Sequence, residues 1–181
     1  SGVGTLTLVD NDVVDATNLQ RQVLYKQTDV GSLKTHAAKA QLTSLNDEID
    51  IHTIDVFLDE KSKLDELLKN IDIVIDCSDN LTTRNVLNTA CYKTKTPLVS
   101  GAAIRMEGQV ACFTMQENSH CYECLSQFMS DQTQSCSESG VLSPIVGLIG
   151  SIQATEALKM LAGLPSGLNE HLLLVDGLSM E

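Results

Sequence analysis

The chain has 181 residues, 43% of them hydrophobic and 20% charged, with a formal net charge of −12 and a pI near 4.6. That length and apolar content suit one domain with a real core, while the acidic balance, absent tryptophan and 3% aromatic content exclude nucleic acid as an expected partner. No long apolar run and no charged leader before an apolar stretch occurs, so a cytoplasmic protein with no membrane partner is expected.

Residues 5–9 are a short β-rich run ending at Asp10, which suits the second strand of a nucleotide-binding unit better than the first. Gly2 and Gly4 precede that strand and read as a tight turn, because a dinucleotide fingerprint must follow a strand and open a helix. Residues 11–25 carry polar punctuation without a sustained period and read as a loop. A helix is predicted over 32–45, with Ser32 as N-cap, Ala38, Leu42 and Leu45 on its apolar side and Asn46-Asp47 as its stop. A strand over 51–56 follows, then a charged amphipathic helix over 59–69 with Leu64, Leu67 and Leu68 facing inward. The near-continuous β-branched run at 71–77 predicts a parallel strand covered on both faces. Residues 80–93 read as helix, 97–101 and 108–115 as strands, and 116–140 as a long, polar, cysteine-bearing loop. A strongly apolar helix over 145–161, with Gly147, Gly150 and Ala154 permitting close backbone packing, precedes a last strand at 171–176. The βαβ alternation predicts an α/β fold: a Rossmann-like, doubly wound, mostly parallel sheet with additional C-terminal strands.

Asp10 stands where such folds accept a ribose hydroxyl, although a strand-end turn residue accounts for it equally well. The loop after it offers Thr17, Asn18, Leu19, Gln20, Arg21 and Gln22, and Lys34 opens the next helix. Two cations and a helix N-terminus could converge on a polyphosphate; taken singly, each cation is more often a solvated surface residue. Cys77-Ser-Asp79-Asn80 follows the buried strand at its carboxyl end, the usual ligand crevice of open α/β sheets. Asp79 suits Mg²⁺, which prefers carboxylate plus phosphate oxygens, but either Asp79 or Asn80 serves as N-cap of the next helix. Cys121-Tyr-Glu-Cys124 is half of a tetrahedral zinc site, and no second such pair follows. Cys136 is a reactive thiol or a spectator, Cys77, Cys91 and Cys112 read as core, and His120 is assigned no role because it adjoins Cys121.

The blocks Leu8-Val-Asp10-Asn-Asp12, Asn18-Leu-Gln-Arg21-Gln22, Lys34, Asp76-Cys-Ser-Asp79-Asn80, Ser100-Gly-Ala-Ala-Ile-Arg-Met-Glu-Gly-Gln109, Cys121-x-x-Cys124 and Cys136-Ser-Glu-Ser-Gly-Val141 run in one order. Together they resemble the ubiquitin-activating superfamily, most closely the bacterial molybdopterin-synthase adenylyltransferases of the MoeB/ThiF/HesA type. The resemblance spans essentially the whole chain, so residues 1–181 are expected to be a single domain of that type.

It implies ATP-dependent adenylation of the C-terminal Gly-Gly carboxylate of a ubiquitin-like sulfur-carrier protein in molybdopterin biosynthesis, by a homodimer. It also implies that Asp10 holds the ribose, that Asn18, Arg21 and Lys34 meet the phosphates, and that Thr17, Leu19, Gln20, Gln22 and Asn80 complete the nucleotide site. Asp79 would hold Mg²⁺, Cys121 and Cys124 would be two of four Zn²⁺ ligands, and Arg21, Lys34 and Asp79 would be catalytic. Against that pattern the first strand and glycine-rich loop would lie before Ser1 and the second cysteine pair after Glu181. A fragment cut at both ends, and inactive alone, is therefore expected. Three alternatives stand beside this one: the equivalent carrier of thiamine biosynthesis, a nicotinamide-dependent dehydrogenase, and a nucleotide-binding assembly protein without activity.

Overall fold

The computed structural model describes residues 2–127 and 140–180 and divides into two compact units, 1–58 and 59–181. Cys136 and the rest of residues 128–139 of the long loop lie outside the described residues.

The first unit is a βαβ arrangement. β1 (Thr5–Val9) pairs in parallel with β2 (Asp50–Ile54), in register from Thr5 with Asp50 to Val9 with Ile54, and α1 (Lys34–Leu45) joins them and packs on β2. Val14, Ala37, Ala38 and Ile51 form its buried apolar set. The helix begins later than predicted, and Ser32 does not cap it. Instead residues 12–14 run beside the helix entrance, so that the Lys34 N–H donates to Asp12 O at 2.9 Å and the Val14 N–H to Ser32 O at 2.8 Å. A backbone acceptor thus meets a first-turn donor that a Ser side chain would otherwise serve. Leu45, placed by periodicity on the inner face, is 79% exposed, because the buried stretch of α1 is its first half, Lys34 to Ala38.

The second unit centres on a four-stranded sheet in the order β3 (Val74–Asp76), β4 (Leu98–Ile104), β5 (Glu107–Phe113), β6 (Leu173–Asp176). β3 and β4 pair in parallel; β5 returns antiparallel through the two-residue turn at Arg105-Met106, and β6 adds antiparallel to β5. Arg105 takes a φ of 52° there, a conformation that short hairpin turns require. The α/β class with parallel strands is as expected; among the described residues the parallel strand pairs are β1–β2 and β3–β4, and both C-terminal additions are antiparallel. α5 (Ser143–Leu161) covers one sheet face, burying Ile145, Ile149 and Ala157 against Val99, Val110 and Cys112. Burial of this kind contributes on the order of 1.5–3 kcal/mol per large aliphatic side chain. Gly147 and Gly150 look into open space and Ala154 is exposed, so these three small residues of α5 lie on its uncovered face among the described residues.

Three expectations need correction. The helix over 59–69 shrinks to α2 (Leu64–Leu67) and a 3-10 turn at Leu68–Asn70. Asp59 and Ser62 close a local turn instead, with the Lys61 N–H donating to Asp59 Oδ1 at 2.9 Å and the Asp59 N–H to Ser62 Oγ at 3.0 Å, the competition these residues offer to a helix. β3 is an edge strand of its sheet rather than one covered throughout, and Ile75 is 42% exposed. The long loop contains a short helix, α4 (Tyr122–Ser126), which packs on α3 (Leu81–Thr94).

Candidate functional site

β1 delivers Asp10 to the carboxyl end of the first unit's sheet, where its N–H donates to Ile54 O at 3.2 Å. Asp10 Oδ1 accepts the Asp12 N–H at 2.8 Å, and Oδ2 has no hydrogen-bond partner among the described residues. Tyr25 lies within reach of the charge on this carboxylate. Burial first, and the Asp10 charge second, push its phenol up to about 12.

The loop between is ordered by its own side chains. Asp15 caps a 3-10 turn, Ala16–Asn18: its Oδ1 accepts the Thr17 N–H at 2.7 Å and the Thr17 hydroxyl at 2.6 Å, while Asn18 Oδ1 accepts the Asp15 N–H at 3.2 Å. The bonds from Thr17 hold the Asp15 carboxyl below its usual range. Thr17 and Asn18 are therefore partly committed to the turn. Arg21 is half-buried and donates to Thr17 O at 3.3 Å, leaving most of its fork unpaired among the described residues. Leu19 is half-buried, Gln20 exposed, and Gln22 buries an Oε1 that has no partner among the described residues.

Lys34 departs from the solvated-surface reading. It is 9% exposed, and its Nζ lies 2.8 Å from Asp12 Oδ2. Asp10, Asp12 and Lys34 are thus brought together, with the Asp10 charge felt by Tyr25, whereas Arg21 makes no hydrogen bond or ion pair with any of them.

In the second unit, the choice of cap falls on Asn80: its Oδ1 accepts the Thr83 N–H at 2.8 Å, at the start of α3. Asp79 is exposed, and its carboxylate has no partner among the described residues. Beneath it lies a buried network that sequence reasoning missed. Asp76, 2% exposed, accepts the Ser78 N–H at 2.9 Å and hydroxyl at 2.6 Å, Arg84 Nη1 at 3.1 Å and the Ser100 hydroxyl at 3.2 Å. Gln153 of α5 donates Nε2 to Asp76 O at 2.8 Å. Arg84 and Gln153 had no distinguishing spacing, since a polar residue on a predicted helix is ordinarily assigned to its wet face. Cys91 and Cys112 are core as expected, and burial, then the Asp76 charge, push the Cys91 thiol up to about 12. Cys77 is exposed as a residue, contrary to expectation, because it follows the end of an edge strand; its sulfur nevertheless turns inward, 3.7 Å from Gln153 Oε1. Burial first, and the Asp76 charge second, raise that thiol.

Cys121 and Cys124 bracket the first turn of α4 with sulfurs 3.7 Å apart. Two thiolates at Zn–S distances of about 2.3 Å in a tetrahedron would stand about 3.8 Å apart, so the pair fits one edge of a zinc site. Asn88, 3% exposed, orients it by donating Nδ2 to Cys121 Sγ at 3.7 Å and accepting the Tyr122 N–H at 2.9 Å. Burial works to raise the Cys121 thiol, but hydrogen bonds from Cys124 and Asn88 outweigh it and the thiol is lowered. No third His, Cys, Asp or Glu joins the pair among the described residues.

Comparison with known proteins gives the chain its family. The chain is 44% identical over 181 residues to the molybdopterin-synthase adenylyltransferase of Escherichia coli K12, covering 100% of this chain and 72% of that one. It is 48% identical over 180 residues to the Haemophilus influenzae protein of the same name, covering 99% and 74%. The crystal structure of E. coli MccB with ATP superposes with a TM-score of 0.81 at 21% identity, over 99% of this chain and 55% of that one, a likeness of fold. The model of the ThiF family matches residues 1–181, and the chain belongs to that family.

Proposed function

We propose that the protein adenylates the C-terminal glycine carboxylate of a ubiquitin-like sulfur carrier serving molybdopterin synthesis, using ATP. The observation that carries this reading is the 44–48% identity, over nearly the whole chain, to two molybdopterin-synthase adenylyltransferases. The geometry supports it. Among the described residues, Asp10 keeps a free carboxylate oxygen for a ribose hydroxyl, Arg21 keeps unpaired N–H groups for phosphate, and Asp79 presents an unpartnered carboxylate at the carboxyl end of β3.

In the proposed step a carboxylate oxygen of the carrier forms a bond to the α-phosphorus of ATP, the bond to the bridging oxygen breaks, and pyrophosphate leaves with the electron pair. No proton is transferred, so a protein base is not needed; positioning and charge neutralisation supply the acceleration. Arg21 and Lys34 would counter phosphate charge, with Thr17, Asn18, Leu19, Gln20, Gln22 and Asn80 shaping the nucleotide site. Mg²⁺ on Asp79 would neutralise phosphate oxygens. Cys121 and Cys124 would hold a structural Zn²⁺ together with two further ligands. The exposed face of α5, with Gly147, Gly150, Ala154 and the half-exposed Leu148 and Leu161, is the surface we assign to a homodimer of a cytoplasmic enzyme.

Carrier-dependent ATP–pyrophosphate exchange by the intact protein tests the reading. Exchange with a molybdopterin-synthase carrier ending in Gly-Gly is expected; exchange only with the thiamine-synthesis carrier would transfer the protein to that pathway, and none with either would refute adenylation.

A further inference from the structure

We infer that Arg84 is a positioning residue that sets where Asp79 presents its carboxylate. The inference rests on the reading that Asp79 holds the cation of the adenylation reaction.

Arg84 is the fourth residue of α3 and is 6% exposed. Its guanidinium makes four hydrogen bonds. Nη1 donates to Asp76 Oδ2 at 3.1 Å and to Ser100 Oγ at 2.8 Å; Nη2 donates to Gly101 O at 2.9 Å and to Ser78 O. The ring of Tyr122 lies 5.8 Å from the guanidinium carbon, within cation–π range. One planar group therefore ties together the end of β3, the turn after it, the adjacent strand β4 and the start of α3.

Asp79 sits in the middle of what is tied. Before it, Ser78 is held by its carbonyl to Arg84 and by its N–H and hydroxyl to Asp76. After it, Asn80 is held to the Thr83 N–H. The two neighbours are fixed while the Asp79 carboxylate stays unpartnered among the described residues, the arrangement expected of a ligand-bearing position rather than of a structural one. The Arg84–Asp76 pair is buried, with side chains 7% and 1% exposed. Such a pair is weak evidence for stability, since desolvating both charges offsets their attraction; what it supplies is a fixed geometry.

Arg84→Lys is the discriminating change. It keeps a cation beside Asp76 but replaces a five-donor fork with a compact ammonium that cannot reach four acceptors on three segments. In the intact protein, the Mg²⁺ dependence of carrier-dependent pyrophosphate exchange is measured together with the melting curve and the KM for ATP at saturating Mg²⁺. The Mg²⁺ requirement is expected to rise about tenfold or more, as when an outer-shell partner of a metal ligand is lost, with the KM for ATP little changed. A folded Arg84→Lys protein with unaltered Mg²⁺ requirement overturns the inference while leaving the adenylation reading in place. Asp79→Asn tests that reading separately: an unchanged Mg²⁺ requirement there removes the cation from Asp79 and the inference with it. Should Arg84→Lys fail to fold, Ser100→Ala decides, because it deletes one acceptor and leaves the fork. A raised Mg²⁺ requirement in that variant supports the role, and an unchanged one overturns it.

Discussion

The ammonium of Lys34 lies 2.8 Å from Asp12 Oδ2, with the lysine side chain 11% exposed and the aspartate 61%. A lysine expected to stand in water is instead threaded through the first turn of α1 and met by the loop that follows β1. Because Asp12 is largely solvated, the pair is screened, and its contribution to stability is about 1 kcal/mol or less. Lys34→Met, which keeps most of the stem, should therefore lower urea stability by about that amount. If the ammonium also serves phosphate, the same change should reduce pyrophosphate exchange by about 100-fold, the scale of losing one preorganised charge-stabilising donor. A stability loss with unchanged exchange would confine Lys34 to the fold.

Asp79 and Asn80 should separate cleanly. Asn80→Ala removes the acceptor for the Thr83 N–H and should cost about 1 kcal/mol of stability, the usual value of an N-cap. Asp79→Ala removes an exposed carboxylate without a partner among the described residues, so thermal stability should hardly move. Adenylate formation, in contrast, should fall by orders of magnitude if the carboxylate carries Mg²⁺. Equal melting losses in the two variants would assign Asp79 to the helix rather than to chemistry.

The strand ending at Asp10, α3 and α5 were legible in the sequence to within about two residues, because each is a strong run bounded by polar punctuation. Two kinds of feature were not. Local side-chain turns defeated the periodicity at 59–63, where Leu64, Leu67 and Leu68 keep a helical spacing that Asp59 and Ser62 interrupt. Long-range polar contacts were invisible for a different reason: Asp76, Ser100 and Gln153 are separated by tens of positions, and only the register of β3 with β4 and the seat of α5 bring them within bonding distance. The candidate ligands of the site were readable as residue types in order; what holds them was not.

Gly101 and Gln153 are such a long-range pair. A Cβ added at Gly101 would stand 2.2 Å from the Gln153 carboxamide carbon, while that carboxamide is held by its bond to Asp76 O. Gly101→Ala should therefore destabilise by about 1–3 kcal/mol through overpacking. Gln153→Ala should cost about as much by removing a buried hydrogen bond to the Asp76 carbonyl. The double variant should lose at least about 1 kcal/mol less than the sum, since the new methyl occupies space the carboxamide vacates. Additive losses would show that the two residues are accommodated independently.

Tyr25 gives the first unit a pH signature. Its phenol is pushed up to about 12 by burial and by Asp10, so the folded state retains a proton that the unfolded chain releases near 10. That contribution is fully present below pH 10 and is lost as pH rises from 10 towards 12. Tyr25→Phe should flatten this limb of the stability curve, and Asp10→Asn should shift it partway, because the charge is the smaller of the two causes. An unchanged alkaline limb in the Phe variant would remove Tyr25 as its source.

The cysteine pair makes the last prediction. Cys121 and Cys124 stand 3.7 Å apart, the spacing of one edge of a ZnS₄ tetrahedron, and Asn88 braces that edge from α3. Two thiolates leave a tetrahedral ion with two open positions, so these residues alone should bind Zn²⁺ weakly, and tight binding should require two further ligands. Because the ligands must be deprotonated, affinity should fall as pH falls. A structural ion of this kind would fix α4 against α3, so chelation should lower the melting temperature before it affects chemistry, with activity lost only as the fold is lost. Asn88→Ala should weaken zinc retention by about 10- to 100-fold, the effect of removing an outer-shell partner, with the cysteines intact. Metal content, melting and pyrophosphate exchange followed together through a chelator titration at constant Mg²⁺ make the test. Exchange that vanishes while the melting curve stays unchanged would place zinc in the chemistry, and full zinc retention in Asn88→Ala would strip Asn88 of its bracing role.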